Sequence, residues 1–448
     1  MIRRKTDIGV DDMEMIVDQS SQIQGELNLP GDKSISHRSV IFNSIANGIA
    51  KVTNISLGQD CNSTIDIMRS MGVEVDIKQN DLSTVEIKGV GRTGLLEPEI
   101  VLDAGNSGTT MRLISGLLSA QPFFTVLTGD KSLRSRPMGR IIRPLQLMGA
   151  NIHGRESNTK APFAIQGSEL KGIEYTMPVA SAQLKSCLIL AAINSTGETV
   201  LHQPALSRDH TEKMLDNMGV QIQNDGLSLS IQPFTGEFIS TDVNVPADIS
   251  SAAYWIVAGL CHNQGKVTLK NVGINPTRSG ILDVMSAMGG KISIENSKVV
   301  AGEDVGDIVV ESSELQGIEI GGDIIPRLID EIPIIALAAC FAKGRTIIRD
   351  AGDARNKESD RISITVSELS KFGAIIEELE DGIIINGVGS LNGTICESFN
   401  DHRIAMTEAI AAILSKGKTT IRNSDCVAIS YPLFWEDLDY LIRENKNA

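Results

Sequence analysis

The sequence predicts an α/β protein that is built from copies of one repeated unit. Five stretches share a pattern of apolar residues spaced three apart, then a glycine, then residues of alternating polarity; the glycines are Gly72, Gly149, Gly219, Gly289 and Gly373. The apolar spacing and the glycine indicate the end of a helix, and the alternation is typical of a strand. Repeats of this size predict α/β units that stack on shared cores.

A degenerate sixth copy is predicted near residues 438–442, so that six units would divide into two domains of three. A chain of 448 residues is also too long for one ordinary core. We expect residues 1–21 to form an N-terminal extension without a catalytic role. The repeat predicts architecture only, because it fits a binding scaffold as well as an enzyme.

Composition excludes several classes of function. A net charge of −15 argues against nucleic acid as a partner. No apolar run approaches the roughly 20 residues of a membrane helix, and acidic residues soon follow the basic start, against a secretory signal. The six cysteines lack CxxC or metal-ligand spacing. We therefore expect a cytoplasmic protein that binds neither membrane nor metal.

Positive charge is nevertheless concentrated at predicted helix starts. The segment Leu-Pro-Gly-Asp-Lys-Ser-Ile-Ser-His-Arg places Lys33, Ser34 and Arg38 just before an apolar run. Free backbone N–H groups at a helix start favour an anion, and lysine and arginine side chains suit phosphate or carboxylate. The alternative is a solvated basic loop that caps the helix.

Four further segments in the first half carry the same signature. Gly108 lies in a Gly-rich loop before a helix, and Arg136 is one of four cations within ten residues, where Pro137 suits the first turn of a helix. Ser181 is an N-cap candidate, and the segment Ser207-Arg208-Asp209-His210-Thr211 is likewise predicted to cap a helix. A turn, a solvated face or a cap alone would also explain each segment.

The second half contributes carboxylates as well as cations. Asp330 precedes a very apolar helix, Glu358 and Arg361 share one mixed segment, and Arg403 follows an Asp-His pair. Surface salt bridging is the ordinary explanation for each segment alone. Taken together, charged helix starts in both halves are what a cleft between two repeat domains would need.

These motifs resemble the EPSP synthase family, in order from about residue 25 to about 435. The motifs are GDKSISHR from Gly31, GNSGT from Gly105, RPM from Arg136, SAQ from Ser181, RNKESDR from Arg355 and DHR from Asp401. The resemblance implies the enolpyruvyl transferase fold, with two domains of three βαβαββ units joined by two hinge crossovers. One domain would comprise residues 31–245 and the other residues 22–30 plus 246–448, with the active site in the cleft between them.

The resemblance also implies the reaction and its binding residues. The family transfers the enolpyruvyl group of phosphoenolpyruvate to the 5-hydroxyl of shikimate 3-phosphate and releases phosphate, without a metal or organic cofactor. The shikimate 3-phosphate site would comprise Lys33, Ser34, Arg38, Ser181, Ala182, Gln183, Arg208, Asp330 and Lys357. The phosphoenolpyruvate site would comprise Lys33, Gly108, Arg136, Gln183, Arg361 and Arg403.

Two carboxylates are candidates for proton transfer. Asp330 is the candidate base at the 5-hydroxyl and Glu358 the candidate acid at the methylene carbon, with Lys33 and Lys357 stabilising anionic groups. Which carboxylate performs which transfer stays open. Arg208 and the Arg-Pro segment resemble the second, bacterial class of the family. Because tolerant members carry alanine at the position of Gly108, we expect inhibition by glyphosate; the family leans to monomers.

Two rival interpretations remain. UDP-N-acetylglucosamine enolpyruvyl transferase shares the fold and the donor, but carries a cysteine shortly before its Arg-Pro, where this chain has none. A non-catalytic repeat protein that binds anionic metabolites would not need Asp330, Lys357 and Glu358. Both rivals are therefore disfavoured by the residues present.

Overall fold

The computed structural model describes residues 2–5, 13–79 and 81–443. The strands are β1 (Ile2–Lys5), β2 (Glu14–Asp18), β3 (Ile23–Asn28), β4 (Asn47–Thr53), β5 (Glu74–Ile77), β6 (Val85–Val90), β7 (Leu102–Asp103), β8 (Phe124–Thr128), β9 (Asn151–Gly154), β10 (Lys160–Gln166), β11 (Glu174–Thr176), β12 (Thr199–His202), β13 (Ile222–Asp225), β14 (Ser228–Ile231), β15 (Val243–Asn244), β16 (Gly265–Gly273), β17 (Lys291–Val300), β18 (Glu303–Glu311), β19 (Glu319–Ile320), β20 (Arg345–Ile348), β21 (Ile375–Leu379), β22 (Gly382–Asn386), β23 (Ile395–Glu397) and β24 (Lys418–Arg422).

The helices are α1 (Lys33–Ser44), α2 (Gln59–Ser70), α3 (Gly108–Leu118), α4 (Lys131–Ser135), α5 (Gly139–Leu147), α6 (Arg155–Asn158), α7 (Ala182–Ala192), α8 (His210–Asn217), α9 (Ile249–Cys261), α10 (Gly280–Ala287), α11 (Ile325–Leu328), α12 (Ile332–Phe341), α13 (Arg361–Lys371), α14 (His402–Leu414) and α15 (Phe434–Ile442). Short 3-10 helices cover Gly322–Ile324, Gly352–Asn356 and Ser424–Ile429.

The predicted helix–glycine–strand repeat is confirmed at all five positions. Each of the five glycines follows a helix and has a positive φ between 89° and 100°. This left-handed conformation costs glycine little because it has no Cβ, and it redirects the chain into the following strand. The strands that follow are β5, β9, β13, β17 and β21.

Within the described residues the strands form six four-stranded sheets. Their orders are β15-β4-β6-β5, β7-β8-β10-β9, β11-β12-β14-β13, β17-β18-β16-β3, β19-β20-β22-β21 and β1-β2-β24-β23. In the second of these, β7 and β8 are parallel whereas β10 is antiparallel to both β8 and β9. Six sheets agree with the six units that the repeat predicts.

The sixth sheet is completed by the N-terminal segment. Strand β24 is parallel to β23 and antiparallel to β2, which pairs with β1. In the other sheets these two positions are filled by the pair of strands that follows a helix, as β21 and β22 follow α13. In the sixth sheet β1 and β2 fill them, although the helix of this repeat is α15. Part of the segment expected as an N-terminal extension is therefore a structural element of the last repeat, because β2 and β1 extend its sheet beyond β24.

The chain divides into two compact units. Unit 1 comprises Met1–Pro30, Ala247–Lys298 and Asp304–Ala448, and unit 2 comprises Gly31–Pro246 and Val299–Glu303. Each unit has its own apolar core. Helices α9, α12 and α14 contact one another inside unit 1, whereas α3 contacts α1 and α7 inside unit 2. No helix among the described residues is long and apolar enough to cross a membrane.

Candidate active site

Lys33 begins helix α1 in unit 2. The Asp32 side chain caps this helix by accepting from the backbone N–H of Ile35 at 2.9 Å. Lys33 Nζ donates to Asp60 Oδ2 at 2.9 Å, and the two side chains are 17% and 7% exposed. A largely buried carboxylate therefore fixes the ammonium at the start of α1, where the backbone N–H groups also favour an anion.

Arg38 connects its own helix, α1, to helices α7 and α8. Its guanidinium donates to the Ser34 carbonyl at 2.8 Å, to Thr211 Oγ1 at 2.7 Å and to Ser186 Oγ at 2.7 Å. Burial, which is opposed by nearby carboxylates, lowers the pKa of Arg38 to about 10, and the charge of Arg208 contributes. The predicted residue Arg38 is therefore a buried link in unit 2, and it is electrostatically coupled to Arg208.

Hydroxyl groups tie α1 to α2 and α3. His37 Nδ1 lies 2.7 Å from Thr64 Oγ1, which lies 2.6 Å from Thr110 Oγ1. Thr110 in turn donates to the cap residue Ser107 at 2.7 Å. Burial and the nearby cations lower the pKa of His37 well below 6.5, so the ring is neutral at pH 7. This network fixes the starts of α1 and α3 relative to each other.

Gly108 begins α3 and leaves room for two guanidinium groups. A Cβ at this position would lie 2.7 Å from Arg112 Nη1 and 3.3 Å from Arg136 Nη1. Arg112 Nη1 donates to Gln183 Oε1 at 2.5 Å, and Gln183 Nε2 donates to Thr109 Oγ1 at 2.9 Å. The structure therefore gathers three predicted residues around Arg112. The sequence motifs do not mark Arg112 as a site residue, although it lies one helical turn after Gly108, on the same face.

The expectation that Pro137 lies in the first turn of a helix is wrong. Arg136 is instead the residue that ends α4, with an extended backbone, and α5 begins only at Gly139. The physical reason is the proline, which disfavours helical backbone in the residue before it. Arg136 Nη2 donates to Asn106 Oδ1 at 2.7 Å, so it still belongs to the Gly108 group.

The two segments predicted to cap helices both lie at helix starts. Ser181 caps α7, where its Oγ accepts from the backbone N–H of Leu184 at 3.3 Å, and Ala182 begins the helix. The segment from Ser207 leads into α8, which begins at His210 with Asp209 in the cap position. Ser207 Oγ donates to Gln203 Oε1 at 2.6 Å. Arg208 therefore lies in the segment before α8.

In unit 1, one cluster contains four predicted residues. Asp330 Oδ1 lies 3.1 Å from Lys357 Nζ and 3.2 Å from Arg361 Nη1. Arg361 Nη2 also donates to Glu358 Oε2. The cluster forms because Asp330 lies just before α12, whereas Lys357 and Glu358 lie just before Arg361, the first residue of α13.

Asp401 is the central carboxylate that the sequence did not identify as a site residue. Its Oδ2 accepts from Arg361 Nε at 2.9 Å and from Ser359 Oγ at 2.8 Å, and its Oδ1 caps α14. Burial opposes charge on both partners, but their mutual attraction raises the pKa of Arg361 and lowers that of Asp401. The sequence signal that could have identified Asp401 is its position two residues before Arg403 in the Asp-His-Arg motif.

Arg403 completes the cluster in the first turn of α14. Its Nη1 donates to the Asp330 carbonyl at 3.3 Å and lies 3.5 Å from Glu331 Oε1, which Arg278 Nη1 approaches at 3.1 Å. Burial opposes the charge, but Asp330 and other nearby groups raise the pKa of Arg403. A cation at a helix N-terminus opposes the helix dipole, so these carboxylates are needed to hold it there.

The two sets have complementary chemistry. Unit 2 presents cations at the starts of α1 and α3, whereas unit 1 combines cations with two carboxylates suited to proton transfer. Within the described ranges, no three His, Cys, Asp or Glu side chains are arranged to hold a metal ion.

Comparison with known proteins identifies the family. The model of the family described as EPSP synthase (3-phosphoshikimate 1-carboxyvinyltransferase) matches residues 17–438. The 3-phosphoshikimate 1-carboxyvinyltransferase of Thermoanaerobacter sp. (strain X514) is 48% identical over 429 residues, covering 96% of this chain and 100% of the relative. That of Bacillus cereus (strain ATCC 10987 / NRS 248) is 49% identical over 421 residues, covering 94% and 97%.

Solved structures agree with the sequence relatives. An EPSP synthase structure from Acinetobacter baumannii has a TM-score of 0.85 and 41% identity, covering 96% of this chain and 98% of that one. The enolpyruvyl transferase NikO from Streptomyces tendae has a TM-score of 0.78, covering 96% and 97%; at 17% identity it supports the fold alone. The fold is thus the enolpyruvyl transferase fold, and the chain belongs to the EPSP synthase (3-phosphoshikimate 1-carboxyvinyltransferase) family of transferases.

Proposed function

We propose that this chain transfers the enolpyruvyl group of phosphoenolpyruvate to the 5-hydroxyl of shikimate 3-phosphate, giving 5-enolpyruvylshikimate 3-phosphate and phosphate. This is a step of the shikimate pathway to chorismate and the aromatic amino acids. The observation that carries the proposal is the cluster of Asp330, Lys357 and Glu358 around the buried Arg361 in a chain of this family. A scaffold that only bound anions would not need partly buried carboxylates at its cationic site.

The proposed shikimate 3-phosphate site draws on both units. Lys33, Arg38 and Arg208 are the cations of unit 2 that would bind the phosphate and carboxylate of the ring, with Ser34, Ser181, Ala182 and Gln183 beside them. Asp330 and Lys357 would contact the ring from unit 1.

The proposed phosphoenolpyruvate site is more strongly cationic. Gly108, Arg136 and Gln183, which surround Arg112 in unit 2, would bind the donor together with Lys33. Arg361 and Arg403 would bind it from unit 1. Because phosphoenolpyruvate carries both phosphate and carboxylate, several guanidinium forks can each make paired hydrogen bonds to it.

The reaction needs two proton transfers. The 5-hydroxyl oxygen bonds to C2 of phosphoenolpyruvate as Asp330 accepts the hydroxyl proton, while the C3 methylene gains a proton from Glu358 to form a methyl group. The tetrahedral intermediate then loses a proton from that methyl group to Glu358 as the C2–O bond to phosphate breaks. Lys357 and Arg361 favour the ionised form of Asp330, the form that can accept a proton.

Several narrower properties belong to the same proposal. The protein would be of the bacterial class II type, cytoplasmic and monomeric, and would require no cofactor. Glyphosate would inhibit it in competition with phosphoenolpyruvate, because Gly108 has no methyl group to exclude the inhibitor. The structure of Gly108, with two guanidinium groups within 3.3 Å of a hypothetical Cβ, supports a site that is sensitive to small steric changes.

Phosphate release from phosphoenolpyruvate tests the proposal. Purified protein is assayed with shikimate 3-phosphate, with UDP-N-acetylglucosamine and with neither acceptor. We expect release only with shikimate 3-phosphate. Release with the nucleotide sugar would keep the fold and overturn the substrate, whereas silence of folded protein in all three would favour a binding scaffold.

A further inference from the structure

Lys185 is a buried lysine for which the reaction has no use. It lies in the first turns of α7, and its side chain is only 1% exposed. Its Nζ lies 2.6 Å from Glu212 Oε1 and donates to the backbone carbonyl of Ser207 at 3.1 Å. Lysine is almost never fully buried unless it is paired, and here Glu212 and the Ser207 carbonyl hold the ammonium in place.

Both ends of this contact lie next to residues of the proposed shikimate 3-phosphate site. Helix α7 begins with Ala182 and Gln183, and Lys185 follows within the first turn. Ser207 immediately precedes Arg208, in the segment between β12 and α8. The Lys185 ammonium therefore connects the helix that carries one part of the site to the segment that carries another.

The ion pair is poorly suited to a purely stabilising role. Among the described residues, Glu212 Oε2 is buried without a hydrogen-bond partner, and a half-satisfied buried pair often contributes no net stability. Helices α7 and α8 are in any case joined by Ser186 and Thr211, whose hydroxyls lie 2.6 Å apart. The additional feature that Lys185 supplies is a fixed Ser207 carbonyl.

We propose that Lys185 is a positioning residue that pre-orders the Ser207–Arg208 segment for shikimate 3-phosphate, with Glu212 as its neutralising partner. This inference rests on the proposed function. A segment that is already held in its binding conformation loses less conformational freedom when the ligand binds. Without the ammonium, the ligand would have to order Arg208 itself, and affinity would fall for shikimate 3-phosphate but not for phosphoenolpyruvate.

Calorimetry with the full chain tests this inference. Lys185→Met keeps most of the side-chain volume and removes the donor, and we expect it to raise the Kd for shikimate 3-phosphate about 10- to 100-fold. The KM for phosphoenolpyruvate should change by no more than about twofold. Glu212→Gln, which keeps the donor to Ser207, should have a much smaller effect on Kd. Ile87→Ala, a core change in β6 of the same unit, controls for lost stability.

A double-mutant cycle with Arg208→Ala separates positioning from a general structural effect. If Lys185 acts through Arg208, Lys185→Met should change the Kd of the Arg208→Ala protein by no more than about twofold. Additive losses, or equal losses in Lys185→Met and Ile87→Ala, would overturn the inference. Should Lys185→Met not fold, the double variant Lys185→Met/Glu212→Gln, which removes the ammonium together with the charge of its partner, takes its place and is compared with Glu212→Gln.

The two proposals fail in different ways. If the folded wild-type protein does not bind shikimate 3-phosphate, the proposed function fails and the role of Lys185 falls with it. If the wild type binds and turns over this substrate while Lys185→Met binds it equally well, only the positioning role is refuted.

Discussion

Replacing Gly108 by alanine should weaken phosphoenolpyruvate binding through a neighbour rather than by direct contact alone. The new Cβ would lie 2.7 Å from Arg112 Nη1, so this group must move by roughly 0.7 Å to reach an ordinary contact. Arg136 Nη1, at 3.3 Å, needs almost no movement. The displaced nitrogen is the one that donates to Gln183 Oε1. The methyl group therefore acts on the hydrogen bond between Arg112 and Gln183.

The expected magnitude follows from that hydrogen bond. A hydrogen bond to a charged group contributes about 1.5–3 kcal/mol, which corresponds to about 10- to 100-fold in affinity. We expect Gly108→Ala to raise the KM for phosphoenolpyruvate by about 10-fold, near the low end because the arginine can partly relax. The inhibition constant for glyphosate should rise more, since the methyl group also occupies space that the inhibitor would use.

Steady-state kinetics with both ligands, together with thermal unfolding, checks this prediction. Gly139→Ala is a matched control, because Gly139 also begins a helix but its Cβ would meet nothing closer than 3.5 Å. The control should behave as wild type. Unchanged constants in Gly108→Ala would refute the reasoning, and an equal loss in an Arg112→Met background would show that the effect does not pass through Arg112.

Three further predictions concern unit 1. Asp330→Asn and Glu358→Gln should fold and bind substrates but turn over at least ~10²-fold slower, as expected for general acid–base groups; near-normal kcat in either variant removes that residue from the mechanism. Arg361→Lys should lower the free energy of unfolding by about 1.5–3 kcal/mol in urea titrations, because Asp330 and Asp401 lose charge-assisted hydrogen bonds although the positive charge stays; unchanged stability would contradict this. Glu408 is 1% exposed, and burial, followed by the charge of Glu368, raises its pKa well above 4.5. Its proton is therefore bound more tightly in the folded state, so the stability of the wild type should fall relative to Glu408→Gln as the pH rises above about 4.5; parallel curves of unfolding free energy against pH would refute this.

The sequence by itself determined the repeat and several of the helix starts. The glycines at the ends of α2, α5, α8, α10 and α13 are local signals, because a left-handed residue after a helix is a property of the backbone alone. Charged residues at the starts of α1, α13 and α14 were likewise visible from motifs and spacing. The family resemblance then supplied the site residues, and the comparisons confirm the family.

The tertiary structure decided what no local pattern contains. Arg112 meets Gln183 and Asp401 meets Arg361 across 71 and 40 residues, and Lys185 reaches Ser207 between two segments. The pairing of the N-terminal strand β2 with β24 in the sheet of the last repeat is likewise a contact between distant parts of the chain. Such pairings depend on which helix starts and which strand edges the repeats bring together, and a buried charge can be recognised as paired only when its partner is in place.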